Sequence, residues 1–445
     1  MDKLALFGGS PVLRPEDHGR WPHVTQADKD AVLEVLDRGL LSGMYAPATR
    51  AFEADFAAYS GAKYALLTHC GTSALQLAVA AAGIGAGDEV IVPAYTFIAT
   101  AFACLQEGAI PIFADVDEKT GLIDPASVEA AISPRTRAIM PVHVHGCPAD
   151  LDRLSAIAKK HDLLILEDAA QAHGATFQGK PAGALFTAGG FSLQSSKNLS
   201  AGEGGVFVTN DDRVAEQALR LRNFGQDLVA DDASHFDLAR PLDGHRGLES
   251  LRIGSMYRGN EMMAAFARSQ LARLPAYTAA AQANFARLGE SLSGLPGAAM
   301  QQIPADRTSV HHKVRVWLDP KAAGVALSPS AFRDVVIRAL RAEGVEAVLW
   351  QGAPVPEHTV FQKLEGFGKG SPWSAGGPEA IAFARKNYEA SRYPATRRLL
   401  ESSIVLFSQS CPLIAQGEAV VARTAEAFHK VWRHREELAG AATAS

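Results

Sequence analysis

Between residues 65 and 210 the chain alternates short apolar runs with longer Ala- and Leu-rich stretches. That rhythm predicts an α/β fold: a mostly parallel central sheet with helices on both faces. The runs "VIVP" (90–93), "IPIFADV" (110–116), "RAIMPVHVHG" (137–146), "LLILED" (163–168) and "GGVFVTN" (204–210) read as strands. Between them, "TSALQLAVAAAG" (72–83) reads as a buried helix and "TFIATAFACLQEG" (96–108) as another. "DPASVEAAI" (124–132) is a helix with an Asp at its start, and Asp150 leads a further helix that ends on basic residues, which suit a helix C-terminus.

Beyond residue 275 the texture changes. A helix near 278–293, a strand-like "VHHKVRVWL" (310–318), a helix over 330–344 and a last helix over 417–435 predict a smaller C-terminal α+β domain. The expected division is 1–275 for the large domain and 276–445 for the small one, since single cores seldom exceed about 250–300 residues. "GFGKGSPWSAGG" (366–377) reads as a mobile loop.

Composition narrows the function classes. Of the 445 residues, 47% are hydrophobic and 20% charged, and the formal net charge is −5. Such a surface offers no general field for nucleic acid or anionic membrane, so neither is expected as a partner. No apolar run reaches the roughly 18 residues of a membrane span, and Cys70, Cys104, Cys147 and Cys411 stand apart with no CxxC spacing. A soluble protein of the cytoplasm, without a disulfide framework, is the expectation.

Chemistry concentrates at three places near predicted strand ends, where open α/β sheets bind ligands. "CGTSAL" (70–75) puts Gly71, Thr72 and Ser73 at a helix start, which suits an anion but also ordinary capping. Asp168 closes an apolar strand, so its carboxylate needs a cationic or hydrogen-bonding partner. Lys197 sits in the Gly- and Ser-rich "FSLQSSKNLSAGEGG" (191–205), but its neighbours Ser196 and Asn198 rule out a phosphate-binding P-loop. An anion site, a buried acid and a reactive lysine together are what a pyridoxal 5′-phosphate enzyme requires: the lysine makes the Schiff base and the acid keeps the ring nitrogen protonated.

With "GTSALQLAV", "GDEVIVPAYTFIATAFA" and "EDAAQAHGA" in the same order, the chain resembles the DegT/DnrJ/StrS family of sugar and cyclitol aminotransferases, of fold type I and dependent on pyridoxal phosphate. The resemblance implies Lys197 as the Schiff-base residue, Asp168 at the pyridine nitrogen, Gln171 near the ring hydroxyl, and Phe97 stacked on the ring. Thr72, Ser73 and Ser192 would hold the phosphate, with His173 supporting Asp168. It also implies a homodimer with shared active sites. Where the family has a phosphate-binding asparagine reaching across the dimer, "GSMYRGNE" has Met256, leaving Arg258 or Asn260 as substitutes.

The implied reaction moves an amino group from glutamate or glutamine to a ring ketone. Gln194 in "FSLQSSK" is closer to members acting on ketocyclitols in antibiotic pathways than to nucleotide-sugar members, which leaves a nucleotide-linked ketosugar as the second choice. Dehydratases of the family carry histidine where this chain has Lys197; a PLP-binding protein without catalysis is the remaining alternative. His143, His145, Gln194, Arg258 and the segment 225–255 are the expected substrate contacts, with Trp350 and Trp373 as either pocket wall or packing. His143 and His145 share one strand face in this reading but have no third ligand, so no metal is expected.

Overall fold

The structure is a computed structural model that describes residues 3–43, 46–226 and 249–442. Its large sheet has seven strands: β1 (Tyr64–Thr68), β2 (Glu89–Pro93), β3 (Ile110–Ala114), β4 (Thr136–Ile139), β5 (Leu164–Asp168), β8 (Ala188–Ser192) and β9 (Gly205–Thr209). Their order is β1-β9-β8-β5-β4-β2-β3, and β6 (Thr176–Phe177) and β7 (Lys180–Pro181) form a separate small hairpin. Every neighbouring pair in the large sheet is parallel except those of β9, which runs against both β1 and β8. The carboxyl ends of β1, β2, β5 and β8 therefore share one edge, and Gly205 at the start of β9 pairs with Thr68 on one side and Ser192 on the other.

All five residues of β2, β3, β8 and β9 are buried, as strands covered on both faces require. The helix Gly71–Ala81 lies against β8 so closely that a Cβ on Gly190 would meet Leu75 Cδ2 at 2.8 Å. Asp124 and Asp150 cap their helices through their side chains, as expected.

The strand expected over 137–146 stops at Ile139. Beyond Pro141 the chain turns, and His145 takes a left-handed φ of 58° inside the turn Val144–Gly146. Gly146 closes that turn because a Cβ there would meet Val310 Cγ2 at 2.7 Å.

A second sheet is wholly antiparallel, in the order β10 (Ala298–Met300), β11 (Val314–Leu318), β13 (Ser403–Leu406), β12 (Ala347–Val348). Its inner face packs with Phe332, Val335 and Val336 of the helix Pro329–Ala342 and with Phe428, Val431 and Trp432 of the helix Glu418–Arg433. Leu4 and Leu13 join this same core, and the Leu13 amide donates to Glu343 O at 2.9 Å.

Residues 355–393 cross back onto the large sheet. Phe361, Trp373, Tyr388 and Tyr393 pack with Phe113, and the Asn387 side chain brackets the Phe113 amide and carbonyl at 2.8 and 2.9 Å. Trp373 is fully buried and donates its indole N–H to Tyr388 Oη at 3.0 Å. The stretch expected as a mobile loop is thus pinned at its centre by a packed tryptophan, which takes no part in a pocket wall.

Candidate active site

A cavity of about 830 Å³ opens where the carboxyl edge of the large sheet faces the second sheet. Cys70, Gly71 and Thr72 form one end, at the start of the helix Gly71–Ala81, where first-turn amides have no intrahelical acceptor. A Cβ on Gly71 would meet Ser192 Cβ at 2.7 Å, so only glycine lets this helix end come down onto β8. Helix start and Ser192 together make a narrow, amide-lined corner suited to an anion.

Asp168 is buried at the end of β5. Its Oδ2 accepts from Thr100 Oγ1 at 2.7 Å and its Oδ1 from the Ala170 amide at 3.1 Å. Burial pushes the carboxyl pKa above its ordinary value, while Thr100, Ala170 and the Lys197 charge oppose the shift. Lys197 lies on the turn after β8, with its amide donating to Gln194 O at 2.8 Å and its carbonyl accepting from the Trp21 indole at 2.9 Å. Desolvation brings its ammonium down to about 8, and Asp168 pulls the other way. A buried acid that burial inclines to keep its proton thus shares the cavity with an amine brought down to about 8.

The other expected residues divide into two groups. Thr72, Phe97, Gln171, Ser192 and Gln194 line the cavity with Asp168 and Lys197. Phe97 keeps 55% of its surface exposed, an apolar face turned to open space. Gln171 Oε1 accepts from the His145 amide at 2.8 Å, which leaves its NH2 group for the cavity. Gln194 Oε1 accepts from the Ser196 amide at 2.8 Å and thereby also shapes the turn that carries Lys197.

Ser73, His143, His145 and Arg258 are outside the lining. The Ser73 hydroxyl, fully buried, is occupied by Cys70 O and His69 Nδ1, both at 3.0 Å. His143 holds Glu167 at 3.1 Å with one nitrogen and the Ala149 amide at 3.3 Å with the other. His145 reaches Tyr95 Oη at 3.1 Å, and burial together with the Arg315 guanidinium keeps its imidazole pKa well below the usual value. Because His145 sits in a left-handed turn, the two histidines do not share the strand face expected for them.

His173 packs beside Phe191 and is held neutral by burial, at about 3. Arg258 Nε lies 3.3 Å from Met256 Sδ, and Asn260 caps the helix Glu261–Leu271 by accepting from the Met263 amide. Most of the 225–255 segment, 227–248, falls outside the described residues. Among the described residues no group of three His, Cys, Asp or Glu is placed to hold a metal ion.

Of the far wall, Trp350 alone is among the residues the sequence suggests. Lys313, immediately before β11, and the Ser408–Ser410 segment after β13 line it, with Trp350 set edge-on to both Tyr95 and His145 at 5.2 Å. The available signal was a lysine and an arginine, Lys313 and Arg315, interrupting an otherwise apolar strand pattern. Thr100 was also missed, concealed in an Ala-rich helix whose period marks it only as buried.

The match to a family model covers residues 22–374 and carries the description DegT/DnrJ/EryC1/StrS aminotransferase family. The chain belongs to that family. A glutamine:2-deoxy-scyllo-inosose aminotransferase of Streptomyces lividus is 36% identical over 80% of the chain and 83% of that protein. A dTDP-3-amino-3,4,6-trideoxy-alpha-D-glucose transaminase of Streptomyces venezuelae is 36% identical over 81% and 86%. Among solved structures, 3-amino-5-hydroxybenzoic acid synthase superposes with a TM-score of 0.77 at 31% identity, covering 94% of this chain and 99% of that one.

Members of this family are aminotransferases that depend on pyridoxal phosphate, and the cavity has the chemistry that cofactor needs. The Gly71 corner suits its phosphate, the bare face of Phe97 suits a flat ring, and a lysine and a buried acid stand near each other.

Proposed function

We propose that the chain transfers an amino group from glutamine or glutamate to a ring ketone of a cyclitol or sugar, with pyridoxal phosphate in the 830 Å³ cavity. Lys197 and the buried Asp168 facing one cavity, with an anion corner at its end, is the observation that carries this reading. The bound cofactor would act as an electron sink and carry nitrogen between the two substrates.

In this reading the first-turn amides of the helix, Thr72 and Ser192 bind the phosphate. Phe97 covers one ring face and Gln171 donates to the ring hydroxyl. Asp168, already fixed by Thr100 and Ala170, holds the proton at the ring nitrogen. Lys197 would hold the cofactor's aldehyde carbon, and its amine would move the proton of the donor's α-carbon. A lysine titrating near 8 suits that exchange, because a base works best when its pKa lies near the working pH.

The Streptomyces lividus relative supports a cyclitol ketone as acceptor and glutamine as donor, and the Streptomyces venezuelae relative keeps a nucleotide-linked sugar as the second reading. A shared-site homodimer belongs to the same proposal. Its support is that Phe224, Leu251, Ile253 and Met256 are all exposed, Ile253 at 95%, an apolar surface suited to a partner subunit. Division near residue 275 and residence in the cytoplasm are also our reading, supported by the positions of the two sheets and by four free cysteines, with residues 355–393 returning to the large sheet and Leu4 and Leu13 joining the small one's core. Among the described residues no helix is long and apolar enough to cross a membrane.

The test loads the protein with cofactor and adds candidate donors while the visible absorption band is followed. Glutamine or glutamate should bleach it, and a ketocyclitol should restore it with formation of an amine. No bleaching by any amino acid, or a deoxygenated product, would overturn the reading.

A further inference from the structure

The cavity contains a second lysine that the cofactor roles leave unused. Lys313 is 3% exposed, and its Nζ donates to Ser408 O at 3.0 Å and to Ser408 Oγ at 3.2 Å. Both partners are neutral, and Lys313 takes part in no salt bridge among the described residues. The nearby Glu346 is occupied elsewhere: it accepts from the amides of Ser408, Gln409, Ser410 and Cys411 at 2.9–3.1 Å. Burial and the Lys197 charge both act against the Lys313 ammonium, and the Glu346 carboxylate, which lines the same cavity without bonding to it, offsets them only in part. This arrangement favours an anion entering the cavity beside both lysines.

Position decides which anion. The phosphate corner at Gly71 and Ser192 belongs to the large sheet, whereas Lys313 projects from the edge of the second sheet. In an α-amino acid, the carboxylate is one bond from the carbon whose proton Lys197 must take. A cation that binds it must therefore be near Lys197 and away from the phosphate. We propose that Lys313 is the residue that binds the α-carboxylate of the amino donor, with Ser408 holding its ammonium in place.

This rests on the reading of the donor as an amino acid. The alternating substrates explain why the cation is lysine rather than arginine. An uncharged ring ketone occupies the same cavity in the second half of the cycle and brings no counter-ion. Burial and Lys197 bring Lys313 down to about 7, so it can lose its proton near neutral pH when the acceptor replaces the donor. Arginine could not.

The experiment uses cofactor-loaded protein and two unreactive probes. Glutaramate is glutamine without its amino group; glutaramide is the same molecule with its charge removed. Calorimetry should find glutaramate bound at least tenfold more tightly by the unaltered protein. The preference should vanish in Lys313→Met and persist in Lys313→Arg. In the donor half-reaction, Lys313→Met should need at least tenfold more donor for half-maximal bleaching, with little change in the acceptor KM.

No preference in the unaltered protein, or the same preference in Lys313→Met, would overturn the assignment. The probe comparison in the unaltered protein decides the matter even if the Met variant does not fold. If no amino acid bleaches the cofactor band, the donor reading fails by itself, because the two probes still report whether Lys313 binds a carboxylate.

Discussion

The two walls of the cavity are built in opposite ways. On the large-sheet side, the anion corner, Asp168 and Lys197 come from strand ends inside a single stretch of about 130 residues, and Asp168 is fixed from within that stretch by Thr100 and the Ala170 amide. On the far side, Lys313, Trp350 and the Ser408–Ser410 segment flank separate strands of the second sheet; contacts spanning 62–95 positions hold Lys313 and the segment, and Trp350 packs on Tyr95 and His145. The first wall is fit to hold one unchanging cofactor. The second, on the proposed function, meets an amino acid and a ring ketone in turn, and it carries the lysine that burial brings lowest, to about 7.

That contrast can be broken most severely at Lys197. Lys197→Ala should lower turnover at least about ten-thousandfold, since both the covalent anchor and the proton carrier are removed, and steady-state rates with the best donor would measure it. Asp168→Asn keeps the shape and the Thr100 contact but removes the charge. A loss of about 3 kcal/mol would slow the reaction over a hundredfold, measured as kcat with cofactor saturating. A variant as active as the parent would remove Asp168 from the chemistry.

The far wall predicts a pH effect on stability. Folded Lys313 and Lys197 titrate at about 7 and about 8, below the ordinary lysine value. Between those values and the ordinary one the unfolded chain holds protons that the folded chain has released, so these lysines make stability rise with pH. Relative to Lys313→Met, the cofactor-free protein should gain about 2 kcal/mol between pH 7 and pH 9, read from denaturant midpoints. A flat difference would show that Lys313 is not desolvated. The smallest effect belongs to Trp350→Leu, which stays apolar but loses the ring and its edge contacts to Tyr95 and His145. The acceptor KM should rise by about tenfold or less, corresponding to roughly 1 kcal/mol, with the donor half-reaction unchanged.

Legibility in the sequence follows the same division. β2, β5, β9 and the Asp124 and Asp150 caps were readable because period, burial and capping chemistry are all local there. Thr72, Asp168, Ser192 and Lys197 were readable as cavity residues for the same reason, whereas Thr100, which reaches Asp168 across 68 positions, was not. His143 and His145 were misjudged because a left-handed turn replaces the strand, a change decided by the close approach of Val310 to Gly146 across the fold. Trp373 sits in a Gly-rich stretch whose local composition says loop, yet a tertiary pocket against Tyr388 buries it. Ser73 looked identical to Thr72 by position in the helix start, and only the neighbouring His69 and Cys70 show that its hydroxyl is already used. For Lys313 the sequence offers only its break in the strand pattern, and its partner Ser408 lies 95 positions away.

Two lysines in one cavity make the central claim directly testable. The cofactor-loaded protein is reduced with borohydride, digested, and the cofactor-bearing peptide is sequenced by mass spectrometry. The account predicts a single labelled site at Lys197, on the turn after β8, with Lys313 unmodified. Label on Lys313, or on any lysine other than Lys197, would contradict it.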